Sequence, residues 1–126
     1  MDRASQAQLT ALRESLNRRL VELRAEVHAA QQARLDLGEA ATHEVGDRKD
    51  EAAQRQAEGL DSAQEQRDID ELAQVESALQ RLAAGNYGTC ADCGDAIALE
   101  RLRVQPAAQR CAACQVIHER TQARAR

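Results

Sequence analysis

The chain has 126 residues, of which 43% are hydrophobic, 30% charged and only 1% aromatic, and its formal net charge is −4. This length leaves no room for several domains, and a core with one aromatic residue, Tyr87, argues against a broad sandwich or a doubly wound sheet. A composition dominated by Ala, Leu, Glu, Arg and Gln indicates long helices. No apolar run reaches the ~18 residues of a membrane span. No hydrophobic signal segment follows Met1, so we expect a cytoplasmic protein without a membrane association.

The first predicted element is a helix from about Ala4 to about Ala41, since no Gly or Pro occurs before Gly38. Its large apolar residues are spaced by steps of 3 and 4, which is typical of a helix that packs along a second helix. These seam positions are Leu9, Leu12, Leu16, Leu20, Leu23, Val27 and Ala30. At 1.5 Å per residue the helix would be roughly 55 Å long and would need a partner.

A second helix is predicted from Glu51 to the residue before Gly85, where a left-handed glycine is a common helix stop. Its apolar positions are Leu60, Ile69, Leu72, Val75, Leu79 and Leu82. Between Ala52 and Gln66 only Leu60 is a large aliphatic residue, so we expect this half of the helix pair to be marginally stable. Residues 1–85 are therefore predicted to form a long antiparallel coiled-coil hairpin whose acidic tip lies near residues 43–51.

Charge is distributed unevenly along the hairpin. Residues 36–71 contain 12 acidic and 4 basic residues. Such a segment repels the phosphate backbone, so we expect no direct sequence-specific DNA binding through the helices. At the tip, Asp47 and Asp50 have two interpretations. Aspartate commonly caps the amides of a helix N-terminus. Alternatively, a thin acidic arm carries carboxylates to a distant basic cavity or to a site that contains Mg²⁺.

Residues 86–126 form a different predicted module, with a short C-terminal helix from Gln115 to Arg126. Two CxxC pairs separated by 17 residues supply four thiols: Cys90, Cys93, Cys111 and Cys114. This spacing predicts one closed, structural, four-sulfur zinc site. A module of this size with one aromatic residue needs metal binding to fold. An iron–sulfur cluster and thiol redox chemistry are the alternatives, whereas disulfides conflict with the expected compartment.

A longer motif surrounds these cysteines: Tyr87-Gly88-Thr89-Cys90-x-x-Cys93-Gly94-x-x-Ile97-x-x-x-Arg101-Leu102-x-x-x-Pro106-x-x-x-x-Cys111-x-x-Cys114-Gln115. It resembles the zinc-finger signature of the DksA/TraR family. Asp47-x-x-Asp50-x-Ala52 resembles the tip motif of that family's coiled coil, and with the first helix the resemblance covers nearly the whole chain. The fold it implies is mainly α: a long hairpin, a small zinc finger and a short C-terminal helix.

The function implied by the resemblance is bacterial transcription regulation through binding to RNA polymerase. Family members insert the coiled coil into the secondary channel, where the tip lies near the catalytic centre and modulates open promoter complexes. Asp47, Asp50 and Ala52 would then be the effector residues of the tip. Arg67 matches a position that supports polymerase binding. A monomer is expected, and no nucleophile–base pair or phosphate loop indicates an enzyme.

One departure from the family concerns guanosine tetraphosphate (ppGpp). Basic residues that hold this nucleotide in responsive members align with Gln74, Gln105 and Gln115, which carry no charge. Weak or absent ppGpp dependence is therefore predicted. Two other functions stay open from the residues alone. A transcript-cleavage factor would use the tip acids to recruit Mg²⁺, and a structural adaptor would dimerise through a hairpin stabilised by zinc.

Overall fold

The computed structural model describes the backbone of residues 5–41 and 48–125, and the side chains of residues 5–37 and 62–124. Four helices lie in these residues: α1 (Gln6–Ala41), α2 (Arg48–Ala84), α3 (Leu99–Val104) and α4 (Ala112–Ala125). The described residues contain no strand, only one antiparallel bridge between Thr89 and Ala96. The mainly α fold predicted from the sequence is therefore confirmed.

The helix boundaries refine the prediction at several points. The first helix ends at Ala41 as expected, but α2 begins at Arg48 and not at Glu51. Consequently Asp50 lies inside α2 and is not the residue that precedes the helix, while Asp47 is outside the described residues. The C-terminal helix begins at Ala112 and not at Gln115, because Ala112 and Ala113 favour helix and extend it toward the metal ligands. Helix α3 was not predicted.

Reciprocal hydrogen bonds stabilise the start of α1. The backbone N–H of Gln8 donates to Oγ of Ser5 at 3.2 Å, and the backbone N–H of Ser5 donates to Oε1 of Gln8 at 2.7 Å. This capping box satisfies two amide groups that a helix terminus otherwise leaves without partners. It fixes where α1 begins.

The predicted seam of α1 is the buried face of that helix. Leu12, Leu16 and Leu23 are buried, and the other four seam residues are half-buried. By contrast, Val21 and Leu35 lie off the seam and are 67% and 64% exposed. The alternation of 3 and 4 residue steps therefore identified the packing face correctly.

The chain forms two compact units, Met1–Leu20 with Ala73–Arg126, and Val21–Leu72. In each unit a part of α1 belongs with a part of α2, and the order of the parts is reversed between the two helices, as in an antiparallel pair. The buried residues of the first unit are apolar: Leu12, Leu16, Val75, Ala78, Leu82, Cys90, Ile97 and Leu102. The buried residues described in the second unit are Leu23, Glu65 and Asp68.

Helix α2 ends as its sequence predicts, at a glycine. Gly85 has a φ of +82°, a left-handed conformation that only glycine adopts without strain. The backbone N–H of Asn86 donates to the carbonyl of Arg81 at 3.0 Å, and that of Gly85 donates to Leu82 at 3.3 Å. This pair of bonds is the Schellman motif, and it turns the chain from α2 into the cysteine-rich segment. None of the helices in the described residues has the length and apolarity that a membrane crossing requires.

Candidate metal centre

The first pair of cysteines lies in a tight turn. The backbone N–H of Gly94 donates to the carbonyl of Cys90 at 3.0 Å, and the backbone N–H of Cys90 donates to the carbonyl of Asp95 at 2.8 Å. Gly94 has a φ of +78°, so a glycine directly after Cys93 allows the chain to reverse without strain. The turn brings the two thiols of the pair to the same side of the backbone, where one ion could contact both.

The second pair spans the start of α4. The backbone N–H of Gln115 donates to the carbonyl of Cys111 at 2.9 Å, so Cys111 precedes the helix and Cys114 lies in its first turn. The segment before it is held to the first turn by a backbone bond from Ala91 to the carbonyl of Gln109 at 2.9 Å. Both cysteine pairs are thus fixed by backbone hydrogen bonds.

The four cysteine Sγ atoms lie within 4.8 Å of one another, and those of Cys93 and Cys111 are 3.9 Å apart. A tetrahedral site with zinc–sulfur bonds of about 2.3 Å has sulfur–sulfur edges of about 3.8 Å. The cluster therefore fits one zinc ion held by Cys90, Cys93, Cys111 and Cys114, with no position left for a substrate. Cys90 is buried, whereas Cys93 is exposed.

The thiols differ in their electrostatic surroundings. Backbone N–H groups of Cys93 and Cys111 stabilise the thiolate of Cys90 and lower its pKa to about 6. Hydrogen bonds from the thiol of Cys114 to the sulfurs of Cys111 and Cys90 raise the pKa of Cys114 above its ordinary value, because they stabilise its protonated form. A bound divalent cation would reverse this preference, since it favours the deprotonated form of all four ligands.

A small apolar cluster supports the cysteine turns. Ile97 and Leu102 are buried with Cys90 and with Leu12 from α1, and Tyr87 packs against them half-buried. The hydroxyl of Tyr87 donates to the carbonyl of Pro106 at 2.6 Å. Burial raises the pKa of Tyr87 to about 12, and the positive charge of Arg81 opposes part of that rise. The only aromatic side chain of the protein therefore packs in the apolar cluster that supports the cysteine turns.

Residues 85–120 match the profile of the prokaryotic DksA/TraR C4-type zinc finger. The whole fold is similar to the structure of transcription factor DksA2 from Pseudomonas aeruginosa, with 28% sequence identity and a TM-score of 0.75 over 94% of this chain and 88% of that chain. Both similarities point to the DksA/TraR family. No curated protein matches the sequence at a significant level. The C4-type finger and the convergence of the cysteines together support a structural zinc ion.

The structure describes the residues predicted to act in the hairpin to different extents. Asp47 lies outside the described residues, and Asp50 and Ala52 are described only as backbone positions of α2. Arg67 is exposed on α2, where its guanidinium donates to Oε1 of Gln64 at 3.1 Å. The amide of Gln64 donates in turn to the carboxylate of Asp68 at 3.1 Å.

Sequence reasoning missed two side-chain contacts that hold the DksA/TraR finger together. Nε of Arg110 donates to Oδ2 of Asp92 at 2.9 Å, and Nε of Arg101 donates to the carbonyl of Arg110 at 3.0 Å. The sequence feature that could have indicated the contact between Asp92 and Arg110 is that each residue directly precedes a cysteine. Position in sequence did not reveal that these two residues face each other.

Proposed function

We propose that this protein is a transcription regulator that binds RNA polymerase. The observation that carries the proposal is the similarity to transcription factor DksA2 across nearly the whole chain, together with the C4-type zinc-finger match of residues 85–120. The protein acts as a cytoplasmic monomer, without sequence-specific DNA binding and without catalysis of its own. The zinc ion is structural, because four sulfur ligands close its coordination sphere.

The hairpin of residues 1–85 is the part that enters the polymerase in this proposal, through the secondary channel. Its acidic segment suits a basic cavity. Asp47, Asp50 and Ala52 then act near the catalytic centre and modulate open promoter complexes. Residues 86–126, with the zinc finger and α4, remain outside the channel.

Arg67 is proposed to contact the polymerase. Its side chain is exposed, and its bond to Gln64 holds the guanidinium on the surface of α2. Because arginine is common among the residues that dominate protein interfaces, Arg67→Ala should weaken binding by about tenfold. Arg18→Ala, which removes an exposed arginine of α1, is the matched control and should leave binding unchanged.

The test is competition on purified bacterial polymerase. A transcript-cleavage factor that occupies the secondary channel is displaced by increasing amounts of this protein, and displacement is followed by loss of RNA cleavage. Wild type should compete, and Arg67→Ala should need about tenfold more protein. Binding to polymerase without competition would contradict binding in the secondary channel. Shortened RNA produced by this protein alone would assign it to transcript cleavage.

We further propose that ppGpp has little effect on this regulator. Gln74 and Gln105 are exposed and uncharged, and the amide of Gln115 donates to the carboxylate of Glu119 at 3.1 Å. An adjacent carboxylate disfavours a polyanion at that position. With polymerase that lacks its other ppGpp site, added ppGpp should not deepen regulation. Gln74→Lys combined with Gln105→Lys and Gln115→Lys should increase the response, and a strong response of wild type would contradict the proposal.

A further inference from the structure

The residues directly before Cys93 and Cys111 form an ion pair between the two cysteine segments. Nε of Arg110 lies 2.9 Å from Oδ2 of Asp92, and their side chains are 20% and 46% exposed. The sulfurs of the two following cysteines are 3.9 Å apart. The charged pair therefore connects the same two cysteine segments as the contact between these two sulfurs.

Arg110 is held from two sides. Its side chain reaches Asp92 in the first turn, and its carbonyl accepts a hydrogen bond from Nε of Arg101 on α3 at 3.0 Å. The adjacent backbone bond between Ala91 and Gln109 joins the same two segments. An arginine fixed at both its guanidinium and its backbone carbonyl holds one geometry at a small entropic cost. This arrangement favours an ion pair of fixed geometry over a mobile surface ion pair.

The edge between Cys93 and Cys111 includes the most accessible ligand. Cys90 is buried at 2% relative exposure, and Cys111 and Cys114 are intermediate, but Cys93 is exposed. A chelator or an alkylating reagent meets Cys93 first. The contacts that keep the sulfur of Cys93 beside that of Cys111 will therefore control how fast the zinc site loses this ligand.

We propose that Asp92 and Arg110 are positioning residues that close the exposed edge of the zinc site. Their ion pair holds Cys93 beside Cys111, slows the release of zinc and keeps Cys93 from reacting ahead of the other ligands. Neither residue contacts the metal. This inference rests on the zinc site alone and does not depend on the polymerase proposal.

The experiment measures zinc release from the full-length, zinc-loaded protein with a colorimetric chelator in excess. Asp92→Asn and Arg110→Gln should each release zinc about threefold to tenfold faster than wild type, as expected for a partly shielded ion pair. The double variant should be no faster than the faster single variant, because both substitutions remove the same contact. Asp95→Asn and Arg103→Gln are matched controls, exposed and close to the same segments, and should release zinc at the wild-type rate.

Three further readouts distinguish the loss of the ion pair from a general destabilisation of the zinc finger. In about 1 M salt the advantage of wild type over Asp92→Asn should shrink, because the screening length falls to about 3 Å. Mass spectrometry after brief alkylation should show faster labelling of Cys93 in that variant, with Cys90 still labelled last. Exchanging the charges, Asp92→Arg with Arg110→Asp, should restore slow release.

Several results would overturn this assignment. Release at the wild-type rate from both single variants would show that the metal alone holds the edge. Additive effects in the double variant, or equal acceleration in Asp95→Asn, would show that any charge change near the turns has the same consequence. If Arg110→Gln does not fold, Arg110→Lys keeps the charge without the forked guanidinium and should give an intermediate rate.

Discussion

The two compact units are stabilised in different ways. The unit of Met1–Leu20 with Ala73–Arg126 has eight buried apolar residues and the four-cysteine candidate metal centre. In Val21–Leu72 the described buried residues are one leucine and two acids, Glu65 and Asp68. An Arg34–Glu65 ion pair at 2.7 Å joins α1 and α2 there. Among the residues whose side chains are described, the first unit therefore combines apolar burial with the zinc ligands, whereas the second buries mainly acidic side chains.

This difference bears on function. Buried ion pairs add little net stability compared with apolar packing, but they restrict which side chains face each other. Such an interface specifies the register of two helices, although little free energy is needed to separate them. Elements that move or rearrange during function commonly have low local stability. The unit with fewer described apolar buried residues, Val21–Leu72, is the one that contains the proposed effector residues Asp47, Asp50 and Ala52.

Removal of zinc should have the largest effect on this contrast. Metal binding to structural zinc sites contributes on the order of 10 kcal/mol, so chelation or Cys114→Ser should unfold the cysteine-rich segment. Amide exchange should become fast in the segment from Asn86 to Cys111, while the amides of α2 in the second unit keep their protection. Loss of protection throughout Val21–Leu72 on chelation would show that the two units are not stabilised separately.

Truncation of buried leucines sharpens the same comparison. Leu16→Ala and Leu23→Ala remove side chains that are 2% and 0% exposed, one in each unit. Leu16→Ala should lower the free energy of global unfolding by about 2–5 kcal/mol. Leu23→Ala should act mainly on local opening of its own unit, detected as faster amide exchange there.

The control for both leucine variants is Val21→Ala, since Val21 is 67% exposed and its truncation should be nearly neutral. Equal losses of global stability from the two leucine variants would contradict the proposed difference between the units.

Substitutions of the Arg34–Glu65 pair should have a smaller effect. The carboxylate of Glu65 is buried, with its side chain 7% exposed, whereas Arg34 is 48% exposed. Arg34→Ala leaves that carboxylate without this partner and should destabilise the second unit by about 1 kcal/mol. Arg34→Met with Glu65→Leu should recover the loss, because apolar packing replaces the pair without an uncompensated charge.

Amide exchange of Val21–Leu72 in low and high salt is the measurement for this pair. Wild type should become less protected in high salt, and the apolar double variant should not. Salt-independent protection of wild type would show that the pair contributes nothing.

The smallest effect is expected at Tyr87. Tyr87→Phe removes the hydroxyl that donates to Pro106 and should cost about 1 kcal/mol of unfolding free energy in the first unit. The pKa of Tyr87 is about 12 in the folded protein, against 10.0 for an ordinary tyrosine. The neutral phenol is favoured by folding, so its contribution is complete below pH 10 and is lost as the pH rises through 12.

Phenolate absorbance follows Tyr87 directly, because no other aromatic residue is present. Titration at the ordinary value in the zinc-loaded protein would contradict its burial. After zinc removal, the same titration should move down toward pH 10.

Local sequence patterns predicted most of the fold. The seam from Leu9 to Ala30 identified the packing face, Gly85 identified the end of α2, and the cysteine spacing identified the metal ligands. Each of these signals depends on residues within a few turns of one another. The starts of α2 and α4 each lie three residues before the predicted positions, because alanine-rich flanks and charged turn residues are compatible with helix.

Contacts distant in sequence were not predictable. Helix α3 has only six residues, too few for a helical period to emerge. The Asp92–Arg110 and Tyr87–Pro106 contacts join residues 18 and 19 positions apart. They depend on how the cysteine turns are brought together, and no local propensity encodes that arrangement.

The most direct test of the central claim is multi-round transcription from a stable-RNA promoter with purified bacterial polymerase. Wild type is compared with the Asp47→Asn/Asp50→Asn double variant, and polymerase binding and zinc content are measured for both. The account predicts that wild type inhibits transcription and that the double variant binds polymerase normally without inhibiting. If neither protein binds although both contain zinc, regulation through the polymerase is contradicted.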